Sequence, residues 1–361
     1  MRYDSLNSLR GIAALIVVFN HMFISVAFHY FISNEEFQNS PIFHLFNARL
    51  AVLFFFILSG FVLSLSYITG KNIKYKTYII RRFFRIYVPF IIITLTTILL
   101  WFGITNTFYD PDLEWMLWNQ ELTANIVAHH IFMTNRAVML NPPLWTLMIE
   151  MKVVIIFPLL AYLLIKRPTV TLVISLMLSY VCAILFVTID EYDNFYAASS
   201  LISSLLMTLY YIQFFAMGIF IAVKKDIILG GINRIHGIIH CLIIIFLLMI
   251  PNGLVKNDFL LLELGYGLFA SYIILLAINY KHFENILLIK PMKWLGRVSY
   301  SLYLIHVPIL WGLFYALGGL LPVVHIIIIS FVIILIMSEI TYRTIEKPAQ
   351  DFGKRLADAQ V

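Results

Sequence analysis

The stretch Ser8–His21, SLRGIAALIVVFNH, places two ionisable side chains, Arg10 and His21, in an otherwise apolar run. Their separation of eleven residues equals three turns of an α-helix plus about 20°, so both lie on one helix face. At about 1.5 Å per residue, His21 lies about 16 Å deeper than Arg10, near the middle of a hydrocarbon layer about 30 Å thick. An ionisable side chain at that depth indicates a functional site.

The composition identifies a membrane protein. Of 361 residues, 61% are hydrophobic and 12% are charged, and the mean hydropathy is +0.92. Such a chain cannot hide its apolar surface within a water-soluble globule. The net charge of +6 does not indicate nucleic-acid binding, because the basic residues lie in short stretches between apolar runs, where membrane topology and lipid headgroups account for them.

The apolar runs predict an all-α, polytopic membrane protein with about ten transmembrane helices. They lie near residues 9–31, 44–66, 83–104, 145–165, 169–189, 201–223, 235–251, 259–279, 299–319 and 322–343. We expect one transmembrane domain over residues 1–348, a short polar cytoplasmic tail over 349–361, and no second domain.

The charge pattern tests this count and predicts that both termini are cytoplasmic. With that orientation, all of the 25 Lys and Arg residues lie on the inner side except Arg49, Arg136, Lys152 and Lys256. The longest outer connection, about residues 105–143, is either a lid or acceptor platform, or two interfacial helices anchored by Trp.

The connection before the third helix is strongly basic. It contains Lys71, Lys74 and Lys76 and ends in the sequence Arg81-Arg82-Phe-Phe-Arg85. On a helix, Arg82 and Arg85 share a face, which suits a guanidinium fork around a phosphate or pyrophosphate. The alternative is a positive-inside anchor that binds anionic lipid.

Several blocks together resemble the acyltransferase 3 family of integral membrane acyltransferases over nearly the whole chain. In order, they are Arg10 to His21, Phe54–Phe61, Arg82 to Arg85, Pro143–Glu150, Gly296–His306 and Tyr342–Pro348. One departure is Met151-Lys152 after Glu150, where many relatives carry an acidic or amide residue. The resemblance also implies, from family habit, a bacterial cytoplasmic membrane.

The resemblance implies transfer of an acyl group, usually acetyl, from cytoplasmic acyl-CoA to a hydroxyl of a carbohydrate or glycolipid. Acyl-CoA is then a co-substrate, and no permanently bound cofactor is expected. We expect Arg82 and Arg85 to bind the phosphates of acyl-CoA, with Arg10 in the donor path. His21 is the first candidate for a general base, and a transient acyl-imidazole on His21 is the second.

Further site residues come from the later blocks. Glu150, about five residues into its helix, is expected to approach His21 from the outer side, where it orients the imidazole or binds the acceptor; Trp145 lies on the same helix. Ser299, Tyr303 and His306 form one polar stripe, which lines a cavity or joins helices by hydrogen bonds.

A metal site and two other functions fit the sequence less well. His236 and His240 have the spacing of half a metal site, but no nearby carboxylate or thiol completes it, and we expect no metal. The rival function is a secondary transporter or flippase whose buried His and Glu side chains relay protons. It does not explain the basic inner connection. A scaffold without chemistry does not explain the embedded ionisable groups, and the oligomeric state stays open.

Overall fold

The protein is a bundle of long helices in the computed structural model, which describes residues 3–29, 46–70, 74–105, 118, 121–136, 140–190, 197–235, 237–253 and 259–359. The helices are α1 Asp4–His29, α2 Ala48–Ile68, α3 Tyr75–Thr105, α4 Ala124–Ile131, α5 Trp145–Lys166, α6 Pro168–Asp190, α7 Leu201–Val223, α8 Lys225–Ile232, α9 Gly237–Gly253, α10 Phe259–Asn279, α11 Lys281–Leu287, α12 Lys290–Leu317, α13 Val323–Thr341 and α14 Lys347–Asp358. A 3₁₀ turn, Pro142–Leu144, precedes α5, and a π turn, Tyr342–Glu346, joins α13 to α14.

The predicted all-α membrane fold is confirmed. Over the described ranges the structure has no strand and nine helices that are long and apolar enough to cross a membrane. A tenth span results if α8 and α9, which meet at 111°, are counted together. The run predicted at 235–251 is therefore the second arm of a bent pair, because the polar stretch between the arms interrupts the apolar sequence.

Two crossings between helices depend on glycine. At the crossing of α1 with α12, a Cβ on Gly11 would lie 2.5 Å from the backbone of Gly296, and one on Gly296 would lie 2.4 Å from the Asn7 carbonyl oxygen. Gly60 of α2 approaches the backbone of α7 in the same way. Small residues let membrane helices approach this closely. The first crossing holds the Arg10 block against the Gly296–His306 block, and the second holds α2 against α7.

Helix α3 begins at Tyr75, eight residues before the predicted start, so the basic cluster lies on the helix itself. The C-terminal helix α14 packs on this part of α3. The rings of Phe84 and Phe352 are 5.1 Å apart, and Arg81 contacts Asp358 at 2.5 Å. The predicted polar tail therefore includes an amphipathic helix that is docked on α3.

The outer connection 105–143 is described only in part, since residues 106–117, 119–120 and 137–139 lie outside the described chain. Trp118 is buried, stacks on Tyr315 and meets Trp311 edge to face. Its indole donates a hydrogen bond to the Leu140 carbonyl at 3.0 Å. The segment after it forms α4, which is short and amphipathic. Trp118 thus packs into the bundle and joins the outer connection to α12.

Candidate functional site

A cavity of about 880 Å³ opens among α1, α2, α3, α5, α12 and the π turn. We call it the cationic cavity, because cationic side chains outnumber carboxylates among its lining residues. These charged residues are Asp4, Arg10, Arg82, Arg85, Glu150, Lys290, Lys293, Arg297 and Glu346. Its volume is near the upper end of the range for small-molecule sites, about 300–1,000 Å³. The cavity can therefore hold a sizeable anionic ligand.

The three arginines predicted to bind the donor all line the cationic cavity. Arg10 donates a hydrogen bond to the Asn7 side chain at 3.2 Å, and the Arg82 guanidinium lies 5.9 Å from the centre of the Tyr78 ring. In the described part of the chain, none of the three forms an ion pair with a carboxylate within 4.0 Å. Guanidinium groups so placed offer paired N–H donors to phosphate oxygens.

Glu150 also lies in the cationic cavity. Its Oε1 atom accepts a hydrogen bond from the Ser59 hydroxyl at 3.0 Å, and it interacts electrostatically with Arg10. The sequence placed Glu150 beside His21, but His21 lines a different pocket. The difference arises because the sixth residue of α5 points toward α2 and the arginines, so Glu150 offsets part of their positive charge.

Three cations of this cavity were not predicted from the sequence as site residues. Lys290, Lys293 and Arg297 lie at the start of α12 with spacings of three and four, which places them on one helix face. Arg297 also pairs with Glu339 at 3.0 Å. The periodicity of these basic residues, read together with the adjacent Gly296 block, could have identified them. They extend the cationic lining beyond the Arg82 and Arg85 fork.

A second pocket of about 320 Å³ contains His21, and we call it the histidine pocket. Its lining comes from α1, from the start of α2, from the turn that leads into α5 together with the first residue of α5, and from Tyr303 of α12. The polar and aromatic members are Asn20, His21, Arg49, Trp145 and Tyr303. Trp145, predicted as a pocket residue, lies here and is itself buried.

The hydrogen bonds around His21 assign its tautomer. His306 Nδ1 lies 2.9 Å from the Tyr303 carbonyl oxygen, so this nitrogen carries the proton and Nε2 keeps a lone pair. That Nε2 lies 3.4 Å from His21 Nδ1, which is also 2.9 Å from the Val17 carbonyl oxygen. His21 Nδ1 is thereby the donor, and Nε2 of His21 carries the lone pair. The His21 imidazole has the tautomer of a general base.

Tyr303 lines both cavities. Its hydroxyl donates to the Pro143 carbonyl at 3.0 Å and lies 2.9 Å from the Thr146 hydroxyl. Ser299, one turn earlier on α12, lines the cationic cavity and donates to the Gly296 carbonyl. The polar stripe of α12 thus runs from the cationic cavity to the His21–His306 pair.

The remaining polar candidates have structural partners. Lys152 reaches away from Glu150 and donates to Asn135 at 2.7 Å and to Ser204 at 2.6 Å. His236 lies outside the described residues, and His240 contacts the Tyr272 hydroxyl. Among the residues that the structure describes, no cluster of three or more His, Cys, Asp or Glu side chains could hold a metal.

Comparison with known proteins agrees with this architecture. The profile of the acyltransferase 3 family, described as an acyltransferase domain, matches residues 3–342. The chain belongs to the acyltransferase 3 family. Its relatives include the O-acetyltransferase OatA of Staphylococcus aureus strain COL and that of strain MRSA252, each 29% identical over 225 residues. The match covers 58% of this chain but only 36% of each relative. No solved structure matches the chain significantly.

Family membership and the apolar helices together define an integral membrane protein of an acyltransferase family. The sequence blocks that resemble the family all contribute to the two cavities. Arg10, Arg82, Arg85, Glu150 and Ser299 line the cationic cavity, His21 and Trp145 line the histidine pocket, Tyr303 lines both, and His306 contacts His21.

Proposed function

We propose that the protein transfers an acyl group, in the simplest case acetyl, from acyl-CoA to a hydroxyl of a cell-surface polysaccharide or lipid-linked glycan at the bacterial cytoplasmic membrane. The observation that carries the proposal is that Tyr303 lines both the cationic cavity and the histidine pocket. A donor bound by its phosphates in one cavity can then present its thioester next to a base in the other.

Coenzyme A suits the cationic cavity chemically. It carries a pyrophosphate and a further phosphate, and the cavity offers six cationic side chains against three carboxylates. Arg82 and Arg85, three residues apart on α3, form the fork for the pyrophosphate, and Lys290 and Lys293 extend the positive lining. Charge-assisted hydrogen bonds of this kind are the stronger ones in proteins. In this proposal the acyl end of the donor points toward Tyr303.

The acceptor hydroxyl enters at the histidine pocket, and His21 acts as its general base. Nε2 of His21 takes the hydroxyl proton as the oxygen attacks the thioester carbonyl carbon. The carbon–sulfur bond then breaks, the departing sulfur takes the proton from Nε2, and the products are the acyl ester and CoA with a free thiol. Trp145 offers an aromatic surface beside this position.

His306 assists as a positioning residue in this scheme. Its Nε2 lone pair faces the Nδ1–H of His21, which also donates to Val17. When His21 is protonated, both acceptors stabilise the imidazolium. In the alternative mechanism, Nε2 of His21 attacks the thioester itself and forms an acyl-imidazole, which the acceptor hydroxyl then resolves.

The test uses purified protein in nanodiscs with radiolabelled acetyl-CoA and a membrane glycan extract. We expect the wild type to transfer label to the glycan fraction and His21→Ala to lose at least 100-fold in rate, as is typical when a general base is removed. The matched control is His325→Ala, since His325 is an exposed histidine on α13. Label that remains on denatured wild-type protein supports the acyl-imidazole. A wild type that neither binds acetyl-CoA nor labels any glycan contradicts the proposal.

A further inference from the structure

A second charged side chain reaches the histidine pocket and has no role in the scheme above. Arg49 lies in the first turn of α2 and lines the same 320 Å³ pocket as His21. It lies within a membrane-spanning helix, and its side chain is only 10% exposed. A charged group at such a position is costly unless it is paired, and it commonly marks function.

A surrounding shell holds the Arg49 guanidinium in place. Its Nε atom donates to Glu263 of α10, which is completely buried, and the hydroxyl of Tyr210 donates to the other carboxylate oxygen at 2.5 Å. The guanidinium carbon lies 5.4 Å from the ring centre of Trp145 and 5.3 Å from that of Tyr211. The orientation of Arg49 in the pocket is therefore fixed from α7, α10 and α5.

The charges of Arg49 and Glu263 indicate what Arg49 can stabilise. Arg49 and Glu263 are neutral as a pair, so the pocket does not require a permanent counter-anion. The guanidinium remains a source of oriented N–H dipoles in a low-dielectric site. Such preorganised donors act most strongly on charge that develops during a reaction. A buried ion pair is also rarely needed for stability, because apolar residues of similar volume stabilise a fold as well or better.

We infer that Arg49 is a catalytic residue that stabilises the oxyanion formed in acyl transfer, an inference that rests on the proposed function. When the acceptor oxygen attacks the thioester, a carbon–oxygen bond forms, and the carbonyl π electrons move onto the oxygen while His21 takes the hydroxyl proton. Arg49 donates hydrogen bonds to that negative oxygen. The carbonyl reforms as the carbon–sulfur bond breaks, and the sulfur takes the proton from His21. Glu263 and Tyr210 are positioning residues for Arg49.

The decisive variant replaces the whole pair, Arg49→Met with Glu263→Leu, because removing one partner alone leaves a buried charge. With radiolabelled acetyl-CoA and the glycan extract, we expect this protein to have a thermal midpoint close to that of the wild type. CoA affinity, which the cationic cavity sets, is expected to stay within twofold. The rate constant kcat for transfer is expected to fall by at least 100-fold, which is the usual effect of removing an oxyanion donor.

Arg49→Lys and Tyr210→Phe keep the inference testable if the double variant fails to fold. Lysine retains the charge but not the planar fork, so kcat is expected to fall at least tenfold at unchanged KM for acetyl-CoA. Tyr210→Phe leaves the ion pair and loosens its orientation, so a smaller loss of kcat is expected. The rate of slow acetyl-CoA hydrolysis in the absence of a glycan, measured by the appearance of the free thiol, should also fall more in Arg49→Lys than in Tyr210→Phe.

Three results would overturn the inference. A folded double variant that transfers acetyl within threefold of the wild-type rate would show that the pair is structural. A change confined to KM for the glycan would show that Arg49 binds an anionic acceptor instead. A wild type without transfer activity would overturn the proposed function together with this inference, whereas the first two results leave the proposed function intact.

Discussion

His21 Nδ1 lies 3.4 Å from His306 Nε2, although 285 positions of sequence separate the two residues. The contact joins α1 to α12 ten residues further along both helices, about 15 Å from the place where Gly11 and Gly296 bring the backbones together. In each ring, Nδ1 donates a hydrogen bond to a backbone carbonyl oxygen, which fixes the tautomer and the orientation of both imidazoles. Nε2 of each ring therefore keeps a lone pair, and that of His306 faces His21 Nδ1.

Replacing His306 should separate positioning from binding. We expect His306→Leu to lower kcat for acetyl transfer by about 10–100-fold, since His21 loses an acceptor that stabilises its protonated form. KM for acetyl-CoA should change little, because His306 does not line the cationic cavity. His306→Gln retains an acceptor oxygen and should recover part of the lost rate. Equal activity of the leucine variant and the wild type would exclude a supporting role.

The cationic cavity predicts which arginines bind the donor. We expect Arg82→Ala combined with Arg85→Ala to weaken CoA binding by 1.5–3 kcal/mol for each lost charge-assisted bond, or about 100-fold or more in Kd. The matched control is Arg81→Ala, because Arg81 pairs with Asp358 outside the cavity. Titration calorimetry with CoA measures both. Affinities that fall equally in the two proteins would argue for a general charge effect.

The close crossing of α1 and α12 predicts an effect of a single methyl group. Gly11→Ala places a Cβ 2.5 Å from backbone atoms of Leu295 and Gly296, so the helices must separate. We expect a destabilisation of about 1–3 kcal/mol, seen as a lower thermal midpoint, together with reduced activity. Gly230→Ala, on α8, is the control, since no atom of the described residues lies within 4 Å of its added Cβ. That control should be neutral or slightly stabilising.

The buried His130 of α4, which lies outside the membrane-spanning helices, is expected to make the stability of the folded protein sensitive to acid. Burial lowers its pKa, and the neighbouring His129 acts in the same direction. The folded protein therefore binds this proton more weakly than the unfolded chain does, so stability is lost as the pH falls below the ordinary histidine value of about 6.5. We expect the thermal midpoint of the wild type to fall by a few degrees between pH 7 and pH 5.

The matched variants for this effect are His130→Leu and His325→Leu. The first removes the buried titrating group and should reduce the acid-induced loss of stability. The second removes an exposed histidine of α13 and should leave the loss unchanged. The same pH dependence in the wild type and in His130→Leu would place the sensitive group elsewhere.

The sequence predicted the helical fold because each span is long, apolar and bounded by charge. It was less accurate where a helix is also polar: α3 and α12 begin 8 and 9 residues before their predicted starts. Hydropathy underestimates such helices, because their first turns carry Lys and Arg outside the apolar layer. The bend between α8 and α9 could not be predicted from the sequence either, since hydrophobic periodicity does not report the angle between two helices.

The site was predictable where residues share one helix and less so where they meet across helices. The spacing of Arg82 and Arg85 predicted a common face, and both line the cationic cavity. The partner of Glu150 depends on how α5 is rotated about its axis, and the rotation turns it toward Ser59. The pairing of Arg49 with Glu263 joins α2 to α10 and has no local signal.

The cationic cavity takes its walls from residues near both ends of the described chain. Asp4 and Arg10 come from α1, whereas Glu346 and Gln350 come from the π turn and α14. At about 5–20 residues per second, the ribosome needs roughly 13–54 s to pass from Arg82 to Gln350. During that interval the growing chain lacks the part of the cavity wall that Glu346 and Gln350 supply. Under the proposed function, a translation product that ends before Glu346 therefore has an incomplete donor cavity, and we expect it not to bind acyl-CoA there.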